Sequence, residues 1–316
     1  MNIKQALDLF LIEQEIKGNS KRTIEIYTTY IEYLINYLGD IDIDTIKKQT
    51  IINYQLYLLN RNAFPIACIK HTQTEKKLSR FTVKTYLTHL RTFFRWLYKS
   101  GYMQENIFEN YIFPKVPKLI KPIITEEEIE EILFYFSDSM LGCRNKCMFL
   151  LMLDSGLRVQ EVPGLDIDDI NFEQNNVLIR DSKGMKDRIV PITLYTKREL
   201  LKYLKFYRPT PDSIEEKAFF LSTDNIRISE SAIKSLLFRI RKKLDLKKLN
   251  PHYLRHSFAT WFIINGGDMS HLQMIMGHDD LDTTRKYVHL ANYYIKKDFD
   301  KYSSVTNIIK KAKKVK

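Results

Sequence analysis

Six side chains that could bind or transfer charge lie in five short segments of the second half of the chain. They are Arg158 in SGLRVQEVPGL, Lys183 in DSKGMKDRIVP, His252 and Arg255 in HYLRH, His278 in MGHDD, and Tyr287 in DTTRKYVHL. Arginine side chains match the non-bridging oxygens of a phosphate and stay charged at any working pH, so they can stabilise a five-coordinate phosphorus. Two arginines, a lysine and two histidines around a tyrosine therefore indicate attack of a phenolic oxygen on a phosphodiester.

Such a reaction has two energetic requirements, one at the nucleophile and one at the leaving group. Ionising a tyrosine at pH 7 costs about 4 kcal/mol, because its reference pKa is near 10. A histidine that accepts the proton and two cations that favour the phenolate can offset this cost. The departing 5′ oxygen needs a proton, and a lysine on a hairpin can deliver it as a general acid.

A metal site is the first alternative chemistry. His252 and His256 have the spacing of a ligand pair on one helix. However, no acidic residue lies between them as in H-E-x-x-H metalloproteases, and Arg255 would repel an ion. We therefore regard the metal site as the weaker interpretation, and we assign His256 a structural rather than a catalytic role.

The order of these motifs resembles that of the tyrosine recombinases, also called phage integrases, which include the Xer-type resolvases. The resemblance covers nearly the whole chain and rests on SGLR followed by Glu161 and Gly164-Leu165, SKGMKDRIVP, HYLRHSFAT, MGHDDLDTT, and Tyr287 with His289 two residues later. Ser155 stands where the family more often has threonine, which keeps the hydroxyl. SKRTIEIY and LRTFFRWLYKSGY are similar to the core-binding domain of that family, which binds DNA opposite the catalytic domain.

The resemblance implies a role for each residue. Arg158 and Arg255 hold the scissile phosphate, Lys183 is the general acid, His252 assists proton transfer, His278 hydrogen-bonds to the phosphate, and Tyr287 becomes joined to the 3′ phosphate. Glu161 is expected to form a salt bridge with Arg158 and so hold it in position. Lys186 lies on the same turn as Lys183, but Lys183 matches the lysine that precedes glycine in the family. Neither a metal nor ATP is implied, because the phosphotyrosine bond keeps the energy needed for resealing.

The elements that must position these residues divide into two predicted domains. Apolar residues at helical spacing in SKRTIEIYTTYIEYLINYL, and again in TVKTYLTHLRTFFRWLYKSGY up to its glycine, predict a helical DNA-binding domain over residues 1–113. The stretch between these helices, residues 60–79, lacks periodicity and is interpreted as a long loop. Pro114, Pro117 and Pro122 predict a linker over 114–122, followed by a catalytic domain over 123–316.

The catalytic half combines helices with a small amount of strand. TEEEIEEIL begins with a threonine cap, and CMFLLMLDSGLRVQEVPGL suggests a buried helix, a glycine break and a second helix. Residues 176–192 form two strand-like runs about a Lys-Gly turn, and AFFLS at 218–222 could add a third strand. We expect a mainly α fold with a small antiparallel β-sheet, and the resemblance implies that the two domains form a C-shaped clamp on duplex DNA.

Composition restricts the partners and the compartment. The chain has 50 Lys+Arg against 38 Asp+Glu, a formal net charge of +12, which favours a polyanionic partner and salt-dependent binding. No apolar run reaches the roughly 20 residues that a bilayer requires, and the N-terminus carries acidic residues where a signal peptide is apolar. Cys68, Cys143 and Cys147 show neither a disulfide framework nor a C-x-x-C pair. These features predict a cytoplasmic protein whose cysteines serve packing.

The C-terminal tail predicts an oligomer. Residues 296–316 hold eight lysines and two aspartates, yet Val305, Ile308, Ile309 and Ala312 form a helical apolar stripe. We expect this stripe to pack into a neighbouring protomer, as C-terminal helices do in the resembled family, and so hold a tetramer on two DNA sites.

Three rival functions share some of these features. A type IB topoisomerase uses nearly the same catalytic residues, but the core-binding motifs argue against it. A non-catalytic DNA-binding regulator would not require all six active-site positions to be filled. A metal-dependent hydrolase would lose activity to chelators, whereas a recombinase would not.

Overall fold

The chain consists of two compact units. The computed structural model describes residues 1–62, 77–117, 122–180, 187–213, 215–278 and 281–297. The backbone divides into Met1–Leu119 and Ile120–Lys316, and this division lies within the segment predicted as a linker, residues 114–122. Most of the predicted loop at 60–79, Cys68, Lys183 and the apolar stripe of the tail fall outside the described residues.

The described part of the first unit contains four α-helices: α1 (Ile3–Ile16), α2 (Lys21–Leu38), α3 (Lys48–Asn60) and α4 (Arg80–Lys99). The two helices predicted from apolar spacing are confirmed as α2 and α4, and both begin after a serine whose hydroxyl accepts a backbone N–H three residues on. After α4, Gly101 adopts φ 77°, the left-handed region that ends helices. Phe10, Tyr54 and Phe93 are fully buried in the core that the helices share.

The second unit contains seven α-helices within its described residues: α5 (Glu126–Tyr135), α6 (Met140–Asp154), α7 (Leu194–Lys202), α8 (Glu230–Lys243), α9 (Pro251–Ile264), α10 (Met269–Met276) and α11 (Leu281–Lys297). A π-helical segment, Tyr203–Tyr207, follows α7. The predicted threonine cap of α5 is confirmed, since Thr125 accepts the Glu128 N–H at 3.2 Å and Glu128 accepts the Thr125 N–H at 3.0 Å. None of the described helices is long and apolar enough to cross a membrane.

A three-stranded antiparallel sheet of β1 (Ile170–Asn171), β2 (Asn176–Ile179) and β3 (Arg188–Pro191) lies in the second unit, in that order. The predicted pair of strands is confirmed, because β2 and β3 pair from Asn176 opposite Pro191 to Ile179 opposite Arg188. The prediction of a third strand at 218–222 is wrong. That segment makes only isolated bridges, Asp166 with Ala218 and Leu221 with Arg227, and the third strand is β1.

The helix expected after the glycine break is also absent from the described segment 155–165. Gly156 adopts φ 65°, and the chain then forms hydrogen-bonded turns in which the Glu161 N–H donates to the Arg158 carbonyl at 2.9 Å. Pro163 and Gly164 follow within the same short stretch and do not support a helix. The SGLR segment is therefore a turn that presents Arg158 beyond the end of α6.

Helix α9 lies centrally in the second unit and packs against α6, α10 and α11. It begins at Pro251, and the Asn250 side chain accepts the Tyr253 N–H at 2.9 Å. Cys143 and Cys147 lie buried on α6, as their packing role required, and burial raises the pKa of the Cys147 thiol well above its usual value. This arrangement brings the ends of α6 and α10 towards one side of α9.

Candidate active site

The C-terminal end of α10 presents three successive backbone carbonyls, and each accepts a hydrogen bond from a different arginine. Arg188 Nε donates to the Ile275 carbonyl at 2.9 Å, Arg255 Nη2 to the Met276 carbonyl, and Arg158 Nη2 to the Gly277 carbonyl at 2.9 Å. The last carbonyls of a helix lack partners within it and carry partial negative charge, so they suit guanidinium groups. The end of α10 thus gathers arginines from a turn, a strand and a helix.

Arg158 lies on the turn after α6, where it donates two hydrogen bonds to Glu161. One carboxylate oxygen of Glu161 accepts the Arg158 backbone N–H at 2.6 Å, and the other accepts Nη1 at 3.0 Å. The Arg158 side chain remains 34% exposed, which leaves it accessible to a ligand. Arg158 is therefore oriented by the protein and open to solvent at the same time.

Glu161 is shared between two arginines. Its side chain is only 12% exposed, and Arg188 Nη2 donates at 2.8 Å to Oε2, the oxygen that also accepts the Arg158 backbone N–H. Burial by itself opposes ionisation of Glu161, but the hydrogen bonds and charges of Arg188 and Arg158 outweigh it and lower the pKa of the carboxyl. Glu161 is thus ionised at neutral pH and supports both guanidinium groups.

Arg255 projects from α9 and is 7% exposed. Its Nη1 donates to the Gly156 carbonyl and its Nη2 to the Met276 carbonyl, and Nη2 lies 3.5 Å from Nε2 of His278. Burial, followed by the neighbouring charge of Arg158, lowers the pKa of Arg255 to about 10, so the group remains charged at neutral pH. Both carbonyl acceptors are neutral and orient the guanidinium without cancelling its charge.

His278 follows the left-handed Gly277 that ends α10. Its Nδ1 lies 3.1 Å from the hydroxyl of the fully buried Thr284, and its backbone carbonyl accepts Gln273 Nε2 at 3.0 Å. A partner at one ring nitrogen fixes the orientation of the imidazole and leaves the other nitrogen facing Arg255.

Tyr287 lies on α11 with 9% of its surface exposed, among Phe258, Leu272 and Met276. Its ring is nearly parallel to that of His278, with centroids 6.3 Å apart and planes 11° from each other. Burial raises the pKa of the phenol, and Arg255 and Arg158 oppose that rise. The structure therefore brings Arg158, Arg255, His278 and Tyr287 of the sequence prediction together.

The other residues of interest are placed less directly. His252 is exposed on the first turn of α9, one helical turn before Arg255. Lys183 lies outside the described residues, between the described strands β2 and β3. His256, which the sequence analysis assigned to structure, has its ring centroid 5.5 Å from that of Tyr287.

Sequence reasoning missed Arg188 and Thr284. Arg188 opens the RIVP run that was assigned to a strand, and strand periodicity gives no sign of a partner 27 residues away. Thr284 precedes Tyr287 by three residues, so helical spacing could have placed both on one face.

The described charges suit a phosphate that gains charge during reaction. The net charge of the described cluster is +2, because it contains three arginines and one ionised carboxylate: Arg158, Arg188, Arg255 and Glu161. A phosphodiester carries one negative charge, and its five-coordinate state carries two. Fixed donors that match the developing charge stabilise the transition state more than the ground state.

Comparisons with known proteins agree with this chemistry. The model of the phage integrase family matches residues 122–293, and that of the phage integrase SAM-like domain matches residues 9–113. Tyrosine recombinase XerC of Halalkalibacterium halodurans is 30% identical over 77% of this chain and 87% of the relative. Tyrosine recombinase XerA of Thermococcus onnurineus is 28% identical over 98% of this chain and 99% of the relative.

Solved structures share the fold. The Tn1549 transposon integrase in complex with a circular intermediate DNA has a TM-score of 0.73 at 19% identity, covering 91% of this chain and 94% of that chain. A lambda integrase dimer bound to a COC′ core site has a TM-score of 0.71 at 18% identity, covering 91% and 95%. The expected fold class, mainly helical with a small antiparallel sheet, is confirmed. With both family models matched and relatives similar along nearly its whole length, the chain belongs to the phage integrase family and is a tyrosine-type site-specific recombinase.

Proposed function

We propose that Tyr287 attacks a DNA phosphodiester and forms a 3′-phosphotyrosine bond, the step by which this recombinase cleaves and rejoins strands. The observation that supports this most directly is the grouping of Tyr287 with His278, Arg255 and Arg158 at the end of α10. A new bond joins the phenolic oxygen to phosphorus while the bond from phosphorus to the 5′ oxygen breaks. The bond energy stays in the phosphotyrosine, so neither a cofactor nor ATP is needed.

The arginines hold the non-bridging oxygens in this proposal. The Arg158 side chain is accessible to a phosphate. Arg255 keeps its positive charge, because both of its hydrogen-bond acceptors are neutral carbonyls. His278 donates a hydrogen bond to the phosphate through the nitrogen that faces Arg255. These three side chains bind the five-coordinate phosphorus more strongly than the starting diester.

Two proton transfers complete the step. The phenolic proton of Tyr287 must leave, and burial that raises its pKa makes an acceptor necessary, a role that we give to His252. The departing 5′ oxygen receives a proton from Lys183. Attack by a 5′ hydroxyl of the partner duplex reverses both transfers, frees Tyr287 and produces a Holliday junction.

The first unit supplies a DNA-binding surface in the same proposal. Helices α2 and α4 begin alike, with an exposed serine cap followed by exposed basic residues, Lys21 and Arg22 in one and Arg80 in the other. Helix N-termini attract phosphates through free N–H groups and the helix dipole, and basic side chains add to that attraction. We assign residues 1–113 to DNA binding and 123–316 to catalysis.

We further propose that four copies act on two double-stranded DNA sites in the cytoplasm. A lambda integrase tetramer bound to a Holliday junction shares the fold, with a TM-score of 0.68 at 18% identity over 89% of this chain and 78% of that chain. Exchange between two duplexes requires cleavage of four strands. If each copy of the protein supplies one nucleophile, four copies are needed.

The decisive experiment captures DNA covalently. The protein is incubated with nicked duplexes whose arms are randomised, in a buffer that contains a chelator, and DNA that remains bound after denaturation is sequenced. We expect adducts from the native chain and from Tyr293→Phe, a control for an exposed tyrosine on the same helix, but none from Tyr287→Phe. Adducts that persist in Tyr287→Phe would show that another residue is the nucleophile.

A further inference from the structure

Arg188 is a buried arginine at the start of β3 that the sequence analysis did not include among the catalytic residues. Its side chain is 12% exposed, compared with 34% for Arg158. Nη2 donates to Glu161 at 2.8 Å and Nε donates to the Ile275 carbonyl at 2.9 Å. The side chain thus connects three separate parts of the second unit: β3, the turn after α6 and the end of α10.

Gly277 shows how closely Arg188 lies over the end of α10. A Cβ atom at Gly277 would lie 3.1 Å from Cδ and 3.2 Å from Nε of Arg188. Gly277 is the residue whose carbonyl accepts Arg158, and it directly precedes His278. Arg188 therefore packs on the turn that positions two of the phosphate-binding side chains.

Burial and a carboxylate partner together distinguish Arg188 from the arginines assigned to the phosphate. Nε and Nη2 are both occupied by protein acceptors, and one of these is a carboxylate. Arg255, by comparison, donates to two neutral carbonyls. Arg158 also donates to Glu161, but its side chain is 34% exposed, whereas that of Arg188 is 12% exposed. A guanidinium that is both buried and paired with a carboxylate is suited to holding its neighbours in place.

We propose that Arg188 is a positioning residue that sets Glu161 and the end of α10 so that Arg158 and His278 face one phosphate. This inference rests on the proposed function. Without Arg188, Glu161 keeps its negative charge in a buried place and has Arg158 as its remaining arginine contact. Arg158 is then drawn to the carboxylate, and the support beneath Gly277 and His278 is lost.

Variants at both ends of the contact test the proposal. Arg188→Met removes the charge, Arg188→Lys keeps the charge but cannot donate to both acceptors in the same geometry, and Glu161→Gln keeps the shape of the acceptor. Arg180→Met is the control, since Arg180 follows β2 and pairs with Asp169 at 2.7 Å instead of with Glu161.

The rate of covalent adduct formation is measured in a single turnover on saturating nicked DNA, together with DNA affinity and thermal unfolding. We expect Arg188→Met to slow adduct formation by about 100-fold, the effect of misplacing reacting groups by roughly 1 Å. DNA affinity should stay within about twofold, because Arg188 donates to protein acceptors and makes no phosphate contact in this proposal. Arg188→Lys should be intermediate, and Arg180→Met should resemble the native protein.

The double variant separates positioning from a general loss of structure. If the unpaired Glu161 carboxylate causes the slow reaction of Arg188→Met, removing its charge should restore part of the rate. The double variant Arg188→Met with Glu161→Gln should therefore form the adduct about tenfold faster than Arg188→Met alone, a non-additivity that two independent defects do not show. Losses that simply multiply, or an Arg188→Met variant that reacts at the native rate, would overturn the proposal.

The pH profile gives a second, independent signal. The charged groups around Glu161 are Arg158 on its own turn, Arg188 on β3 and, at longer range, Arg255 on α9. Removal of Arg188 raises the pKa of Glu161, so the acidic limb of the rate profile should move to higher pH. The shift should disappear in the double variant, and a limb that stays in place in Arg188→Met argues against the assignment.

Two outcomes keep this inference distinct from the proposed function. A native chain that forms no adduct at Tyr287 refutes the proposed function, whatever Arg188 does. If Arg188→Met does not fold, the decision passes to Arg188→Lys, and a native rate with a native pH profile in that variant overturns the positioning role.

Discussion

Gly156 offers a sharp test of how the backbone supports Arg255. It adopts φ 65°, a region that residues with a Cβ atom rarely occupy, and a Cβ there would lie 2.3 Å from Cδ1 and 2.6 Å from Cε1 of Phe258. Its carbonyl accepts Nη1 of Arg255. Gly156→Ala should therefore destabilise the second unit and displace Arg255 together.

Two contributions set the size of the effect. An alanine at this φ costs about 1–2 kcal/mol, and forcing a methyl group against a packed ring costs about 1–3 kcal/mol more. Gly266→Ala is a matched control, since Gly266 has φ 87° and nothing within 4 Å of an added Cβ. The difference between the two variants isolates the contact with Phe258.

Thermal unfolding and adduct formation measure the two consequences. One kcal/mol shifts the Tm of a unit of this size by about 2–4 °C, so Gly156→Ala should unfold roughly 2–12 °C below Gly266→Ala. Adduct formation should fall by about tenfold or more in Gly156→Ala and remain near native in Gly266→Ala. Equal Tm values and equal rates would mean that Phe258 moves aside freely and that the Gly156 carbonyl does not fix Arg255.

Two further perturbations test the imidazole and the tail. Thr284→Val removes the hydroxyl 3.1 Å from Nδ1 of His278, so adduct formation should slow by about tenfold while Thr284→Ser stays near native; equal rates for both would exclude Thr284 from orienting the ring. Deleting residues 303–316 should reduce cooperative binding to a two-arm site in gel-shift titrations and leave single-arm binding unchanged, and unchanged cooperativity would refute the interaction of the tail with a neighbouring protomer.

Local signals predicted the helices well. The Thr125 cap and the glycine after α4 each act within a few residues, so the local sequence is sufficient to set these helix ends. The fold class followed from these signals together with the β2–β3 pair. Helix boundaries set by neighbouring residues can therefore be read directly from the sequence.

The two wrong predictions came from segments whose structure depends on distant neighbours. Residues 218–221 are all buried, and a short apolar run has the same pattern in a buried strand and in a buried irregular segment. The actual third strand, β1, has two residues, which is too short for any periodicity. After Gly156 the apolar spacing of 157–165 suggested a helix, but those residues pack as turns around the Arg158–Glu161 contact.

The sequence predicted which residue types form the site, but it did not predict the groups that hold those side chains in position. Arg158, Arg255, His278 and Tyr287 were selected because their chemistry suits a phosphate, and the structure places them together. What holds the arginines is mainly backbone, and a carbonyl belongs to every residue, so the sequence carries no mark of which one accepts.

The choice of backbone carbonyls as partners has a consequence for the reaction. A carboxylate orients a guanidinium but cancels its charge, whereas a carbonyl at a helix end orients it through a partial charge only. Arg255, the most buried of the three arginines, donates to two carbonyls. Among the residues that the structure describes here, the carboxylate of Glu161 serves Arg158 and Arg188 together. The cluster is therefore rigid and keeps an excess of positive charge at the place where the five-coordinate phosphorus gains negative charge. A second carboxylate at this position would retain the geometry and lower the rate, because it would remove the charge that the transition state requires.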